Sequence, residues 1–541
     1  MNSIKTKVTL MAMAILTPIL GFSQDSVGLD QRIDEAFMPI ADWWEGFVLT
    51  SIPFSDTVSI PVVLILLVVG ALFFTIYFGF PSITKFPLAI NTVRGKYDSM
   101  DHHGADLKAA VNIADGDIVD TISDESKEGE VSHFQALATA VSGTVGLGNI
   151  AGVALAIAIG GPGATFWMII CGILGMSSKF VECTLGVKYR DVGPDGTVYG
   201  GPMYYLSKGL AEKGLAGFGK VLAVMFAVLC VGASFGGGNA FQSNQATQQL
   251  VTSLGLSGGA TGAIIGLIFA VLIGIVIIGG IKRIATVTEK VVPFMAVIYV
   301  IACLIVIFSH ISFLDDAFGL IFSQAFTPAA GLGGLIGVLL TGFRRAAFSN
   351  EAGAGSAAIA HSAVKTKYPA SEGVVALLEP FIDTVVICTM TALVIIMFNQ
   401  NGQFIYGGDG AGNVMIEGQT VGGVDLTSMA FAEVIPWFPA VLTLAIVLFA
   451  FSTMISWSYY GLQSWKYLFG RGKAADYTYK VLFLLFVIIG AASSLDAVFR
   501  FSDAMILALV FPNMIGLFFL FPNVKEELDK YLRDIRASFG G

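Results

Sequence analysis

Eleven times along this chain, apolar residues run on for about the length needed to cross a bilayer, and that repetition leaves few folds open. A helix spans the ~30 Å hydrocarbon core in about 20 residues. The runs fall at roughly 57–80, 134–160, 163–187, 219–249, 260–280, 285–309, 332–360, 373–398, 428–460, 477–492 and 497–522. Only 13% of the 541 residues are charged, where a soluble domain carries about 25%. Mean hydropathy is +0.78. A transmembrane barrel would show short alternating segments instead of continuous runs, so the expected fold is an all-α polytopic membrane protein. The cysteines (Cys171, Cys183, Cys230, Cys303 and Cys388) all fall inside apolar runs with no CxxC spacing. They read as small buried hydrophobes, and neither a disulfide framework nor a metal centre is expected. No nucleic-acid partner is expected; the partner is the lipid bilayer.

Residues 1–23 read as a signal peptide, with Lys5 and Lys7 ahead of an apolar stretch over 8–20. The other reading of this segment is an uncleaved anchor helix. Residues 24–56 then lie outside, with Trp43 and Trp44 suited to an interfacial helix. Lys and Arg set the orientation. Segments 81–133, 188–220, 282–290, 365–367, 466–480 and 523–541 carry them, whereas the loops near 161, 250–260, 310–331 and 399–426 carry none. Among the later spans, Arg500 is the exception near an outer end. The N-terminus is therefore expected outside and the C-terminus inside, across a bacterial inner membrane. Within the inner loop 82–132, Asp101-His102-His103 lacks a second ligand cluster and reads as solvated loop.

Two of the runs cannot be plain spanning helices. In TAVSGTVGLGNIAGVALAIAIGGPG (139–163), Ser142, Gly143, Thr144, Gly146, Gly148 and Asn149 crowd together. Each glycine costs a helix interior about 1 kcal/mol relative to alanine. Loosened backbone at membrane depth survives only inside protein or around a cavity. The run at 332–360 carries TGFRRAAFSNEAGAGSAAIAH, with Arg344, Arg345, Asn350 and Glu351 among apolar flanks. Charges at that depth cost about 2.5–3.5 kcal/mol each and face a pathway or a partner. The arginines could simply fix packing by pairing with Glu379 or Asp383, which lie four apart in LEPFIDT with Thr384 beside them.

Further along, Ser452, Thr453 and Ser456 place hydroxyls toward one face, unless they bond back to their own helix. In the run at 219–249, Ser234, Phe235, Asn239 and Gln242 set polar groups beside Gly236-Gly237-Gly238, where glycine could equally serve close packing. Paired breaks five runs apart are the sequence pointer to an inverted-repeat transporter with its site at the midplane. The repeats would be 134–309 and 332–522, with 57–80 as an additional helix. At such a break the N–H groups around Gly146, Leu147 and Gly148 attract a carboxylate. Freed carbonyls and hydroxyls suit a cation and an ammonium group. A zwitterionic amino acid fits both ends.

Through SGTVGLGNIAGVALAIAIGGPGATFWM, GGPMYYL, NEAGAGSAAIAH, LEPFIDT and SWSYYG, over about 134–470, the chain resembles the alanine or glycine:cation symporter family, sodium:alanine symporters with a LeuT-type fold. VGLGN at 145–149 also resembles the first core helix of neurotransmitter:sodium symporters. The resemblance implies one Na⁺ held by Thr144 and Asn149 with Asn350 and Asp383. A second would lie between the Ser142 and Val145 carbonyls and Thr453 and Ser456. It further implies a small pocket walled by Phe348, Trp457 and Phe235, with Ser349, Asn239 and Gln242 alongside. Alanine or glycine is the implied substrate, Na⁺ the implied coupling ion, and no organic cofactor is expected. Leu462-Gln463 departs from the family, where an acidic residue is expected, and nothing carries over to 1–23, 82–132 or 400–425.

The alternative is H⁺ coupling, with Glu379, Asp383 or Glu351 as carrier. A channel would need a repeated filter or a ring of charge. For an enzyme, Gly146-x-Gly148-x-x-Ala151 lacks the strand a dinucleotide fingerprint requires, and His133, His310 and His361 lie in separate segments.

Overall fold

The structure, a computed structural model, describes residues 28–55, 58–100, 129–193, 196–326, 334–410 and 412–539. The signal-peptide expectation for 1–23 and the Asp101-His102-His103 motif lie outside the described residues. Among the described residues each of the eleven apolar runs is built mainly of helix, as it must be where hydrocarbon offers no partner to a free N–H or C=O.

In chain order, an N-terminal helix α1 (Leu29–Val48) precedes α2 (Val62–Tyr77). The first broken run becomes α3 (His133–Thr144) and α4 (Ala151–Gly160). Next come α5 (Gly163–Lys188), α6 (Ala216–Leu254), α7 (Thr261–Ile277) and α8 (Gly280–Ser309). The second broken run becomes α9 (Gly334–Asn350) and α10 (Ala357–His361). The rest are α11 (Pro369–Asn401), α12 (Gly423–Val434), α13 (Phe438–Phe469), α14 (Lys473–Ala492) and α15 (Leu495–Phe539). Among the described residues, seven helices are individually long and apolar enough to cross a membrane: α5, α6, α8, α11, α13, α14 and α15. The β structure described is three antiparallel two-stranded hairpins, at Ser51–Ser55/Val58–Pro61, Asp191–Val192/Val198–Tyr199 and Asn413–Ile416/Gln419–Gly422.

Three expectations shift in detail. The run at 428–460 is two helices, because Pro436 lacks an N–H and pushes Ile435 out of the helical region, to φ −125° and ψ 82°. α12 therefore ends at Val434 and α13 starts afresh at Phe438. The inner loop expected from 81 begins with short helices at Pro81–Thr84 and Phe86–Val93. The outer loop expected at 310–331 carries a helix, Leu314–Phe326, with Asp315 and Asp316 in its first turn, favourable at a helix N-terminus.

The core gathers around α5, which packs on α2, α9, α10 and α11. α1 lies along α15 and is fastened by its acids. Asp30 accepts from the amides of Gly262 and Ala263 at 3.0 and 3.2 Å, and Asp34 from that of Ser494 at 2.7 Å. Glu45 meets Arg344 at 2.6 Å and Arg500 at 3.4 Å. Here the pairing expected for the arginines is corrected. Arg344 and Arg345 both bind Asp503 of α15, and Arg344 also Glu45, with neither reaching Glu379 or Asp383. Asp503, deep in a run that reads as plain hydropathy, is the counter-charge they need at that depth.

Candidate functional site

The site is built where the first helix break meets the last turn of α9, just ahead of the second break: Gly148 lies against Phe348 and Ser349. The first opens where Val145 leaves the helical region (ψ 89°) and closes at Ala151. Two side chains replace its lost helical acceptors. Gly146 N–H donates to Asn149 Oδ1 at 2.9 Å, and Leu147 N–H to Gln242 Oε1 at 3.0 Å. Gln242 reaches the break because α6 widens into a π-turn over Gly236–Ala240, and its own amide donates to Gly237 O at 2.9 Å. The second break runs from Glu351 to Ser356 between α9 and α10, with Gly353 and Gly355 at φ +87° and +86°.

One carboxylate joins the first break to the last turn of α9. Asp383, fully buried in the π-helical stretch Phe381–Cys388 of α11, accepts from Asn149 Nδ2 at 2.6 Å through one oxygen. Its other oxygen accepts from Ser349 Oγ at 2.9 Å and Thr384 Oγ1 at 2.7 Å. Asn350 stands one step back: its amide donates to Thr384 Oγ1 at 2.8 Å, and its oxygen accepts from Ala352 N–H at 2.9 Å. Among the described residues, no cationic side chain pairs with Asp383.

A second oxygen cluster lies one turn before the first break. Thr453 Oγ1 donates to Ser142 O at 2.9 Å, Ser456 Oγ to Ser142 Oγ at 3.0 Å, and Ser142 Oγ to Ser452 O at 2.9 Å. These are bonds between α3 and α13, so the hydroxyls of Thr453 and Ser456 do not fold back on their own helix.

Other expected site residues separate. Phe348 packs edge-on against Phe241 at 5.1 Å and lies against Gly148. Trp457 donates its indole N–H to Glu351 at 2.9 Å. Val145 keeps its N–H on Val141 O at 2.7 Å, so only its carbonyl side has left the helix. Thr144, by contrast, donates back to Ala140 O at 3.3 Å, as hydroxyls in apolar helices do. Phe235 stacks on Phe486 at 4.6 Å, and Asn239 donates to Phe483 O at 2.7 Å. Both thus face α14 and not the breaks.

Gly146 has no room for a side chain: a Cβ there would collide with Thr453 Oγ1 and come within 3.1 Å of Gln242 Oε1. Gly146→Ala is expected to cost about 1–3 kcal/mol of overpacking, concentrated where both groups meet the break. A thermal-denaturation midpoint and a substrate Kd equal to wild type would show that the break is looser than this packing implies.

Sequence reasoning missed a second polar system. Lys179, fully buried on α5, holds Glu379 at 2.9 Å and lies 3.9 Å from Glu182. Glu372 then joins the two histidines that the chain places in separate segments. Its oxygens meet His133 Nδ1 and, at 2.5 Å, His361 Nδ1, while His361 Nε2 lies 3.5 Å from Glu379. Among the described residues this cluster has no arrangement that could hold a metal ion. The signal was in the sequence as Lys179-x-x-Glu182, an ion pair at helical spacing inside an apolar run.

Compared with known families, residues 47–539 match the model of the sodium:alanine symporter family. The chain belongs to that family. The sodium/alanine symporter AgcS of Methanococcus maripaludis is 38% identical over 480 residues, covering 88% of this chain and 95% of its own. The probable sodium/glutamine symporter GlnT of Bacillus subtilis is 34% identical, over 75% of this chain and 80% of its own. Among solved structures, MhsT in complex with L-phenylalanine aligns with 73% of this chain and 99% of its own, at a TM-score of 0.47 and 15% identity. As a member of the sodium:alanine symporter family, the chain is a multi-pass membrane transporter of the amino-acid symporter class and not an enzyme.

Proposed function

We propose that this symporter takes up a small neutral amino acid, alanine or glycine, driven by the Na⁺ gradient, with two inverted five-helix repeats (134–309 and 332–522) alternating access to a central site. The observation that carries this reading is Asp383. It is a fully buried carboxylate surrounded by the Asn149, Ser349 and Thr384 donors, and no cationic side chain of the described chain neutralises it. Burying such a charge unpaired is strongly unfavourable, and a small hard cation is the partner its oxygens suit.

In this reading Asp383, Ser349 and Thr384 hold one Na⁺, with Asn149 orienting the carboxylate and Asn350 orienting Thr384. Ser142, Thr453 and Ser456, with the Val145 carbonyl, hold a second. The amino acid's carboxylate takes the amides of Gly146, Leu147 and Gly148, displacing the Asn149 oxygen from Gly146 and the Gln242 oxygen from Leu147. Phe348 and Trp457 leave space for a methyl group or a hydrogen. Thr144, Phe235 and Asn239 support the fold around the site. The protein sits in the inner membrane with its N-terminus outside and its C-terminus inside.

In proteoliposomes, an inward Na⁺ gradient should drive concentrative uptake of labelled alanine or glycine, and neither should compete poorly against glutamine. Uptake that follows only a pH gradient would replace Na⁺ by H⁺, and a preference for glutamine would overturn the small pocket.

A further inference from the structure

The second break contains a residue that its backbone does not favour. Glu351 stands at φ +55°, the left-handed region that β-carbon-bearing residues avoid. Among the described residues the other non-glycine positions with positive φ are Phe80 and Glu417, both exposed, whereas Glu351 is 3% exposed. A glycine would take this conformation without strain, as Gly353 and Gly355 do two and four residues on. The glutamate is therefore there for its side chain.

That side chain is fully engaged. One oxygen accepts from Trp457 Nε1 at 2.9 Å and the other from Ser356 Oγ. Its backbone is pinned as well, with Glu351 N–H on Ala347 O and Ala354 N–H on Glu351 O, each at 3.0 Å. Trp457 in turn lies so close over α6 that a Cβ on Gly238 would collide with its ring. It also directly follows Ser456, which bonds Ser142.

These contacts close a ring. The first break reaches the last turn of α9, which leads directly into the second, through Asn149, Asp383 and Ser349. The second returns to the first through Glu351, Trp457 and the Ser456–Ser142 bond. Both links contain proposed ligands, but Glu351 itself is not one of them.

We propose that Glu351 is a positioning residue: its hydrogen bond to the Trp457 indole sets the pocket wall and the register of the α13 hydroxyls against the first break, so that amino acid and cation sites form together. The assignment rests on the reading that Trp457, Ser142, Thr453 and Ser456 line those sites. It predicts that the bond matters and the charge does not.

Two variants separate these roles. Glu351→Gly removes the side chain while relieving the backbone, so folding is spared. Glu351→Gln keeps an oxygen for the indole and removes the charge. Losing the bond and leaving the buried indole N–H without an acceptor is worth about tenfold. Glu351→Gly should therefore raise both the KM for alanine and the half-saturating Na⁺ by about tenfold with kcat changed less, while Glu351→Gln stays within about threefold of wild type. A Gln variant as impaired as the Gly variant would overturn the proposal, as would a Gly variant with wild-type KM and Na⁺ dependence.

A readout independent of transport uses Cys388, whose thiol lies 3.3 Å from Asn149 Nδ2 and 3.4 Å from Ser349 Oγ inside the ring. With Cys171, Cys183, Cys230 and Cys303 replaced by alanine, Glu351→Gly should speed maleimide labelling of Cys388 by about tenfold, and Glu351→Gln should not. Equal labelling in both variants would overturn the ring. If Cys388 responds as expected while the wild type takes up no alanine or glycine, it is the substrate reading that fails and not the positioning role.

Discussion

Asp383→Asn should abolish the Na⁺ stimulation of uptake, with initial rates at saturating Na⁺ falling by about a hundredfold or more. The geometry sets the size of the effect. Asn149 Nδ2, Ser349 Oγ and Thr384 Oγ1 all donate to the carboxylate, at 2.6, 2.9 and 2.7 Å. An asparagine amide has one acceptor oxygen, so its NH₂ must face at least one of these donors. Hydrogen bonds to a charged group contribute about 1.5–3 kcal/mol each. One lost and another weakened already reach about 3 kcal/mol, two decades in an equilibrium constant. The missing charge removes the site's main attraction for a cation besides. Folding should survive, since an uncharged amide is cheaper to bury than a lone carboxylate. Initial rates against Na⁺ concentration, with the melting temperature of the purified variant as control, decide it. A variant that keeps its Na⁺ dependence would remove Asp383 from the ion site, and one that instead loses a pH dependence would make it a proton carrier.

What could be read from the sequence follows from how the residues act. The two breaks were legible because glycine and asparagine at 146–149, and Ser349 to Gly355, contradict the apolar runs around them. Such a contradiction is local, visible in a window of a few residues. The link through Asp383 was half legible: Glu379 and Asp383 stood out on LEPFIDT, but only the fold decides which of them meets a cation. It pairs Glu379 with Lys179 and leaves Asp383 to Asn149. Arg344 and Arg345 announced a buried partner without naming it, because Asp503 is contributed by a helix some 160 positions along. Direction was hidden as well. Phe235 and Asn239 lie on the same helix as Gln242, yet the π-turn at Gly236–Ala240 rotates them toward α14 while Gln242 reaches the first break. Ideal helical spacing does not anticipate that rotation. The division of 428–460 was available in Pro436, whose effect on the residue before it is as local as any glycine's.

Lys179→Met should destabilise the protein by about 3–5 kcal/mol, the cost of removing one partner from a buried ion pair. Methionine nearly matches the volume and flexibility of the lysine stem, so the loss is electrostatic and not a cavity. The lysine is fully buried and is the fixed cation facing Glu379 and Glu182. Glu372 is served separately by His133 and His361. Among the described residues, Glu379 without Lys179 keeps only His361 Nε2, 3.5 Å away, and Glu182 keeps Asn513, whose amide donates to it at 3.0 Å. Neither neutralises a carboxylate as an ammonium does. The double variant Lys179→Met/Glu379→Gln removes both charges of the closest pair and should recover more than half of the loss, since replacing a whole buried pair by neutral groups is often close to neutral. Denaturation midpoints of the single and double variants in detergent provide the comparison. A single variant as stable as wild type would mean that protons already neutralise these carboxylates. A double variant no better than the single would place the lysine's main partner at Glu182. The expected pattern, loss and then recovery, makes this cluster a scaffold that holds α5, α10 and α11 together beside the ring of the two breaks, and keeps it apart from the ion site at Asp383.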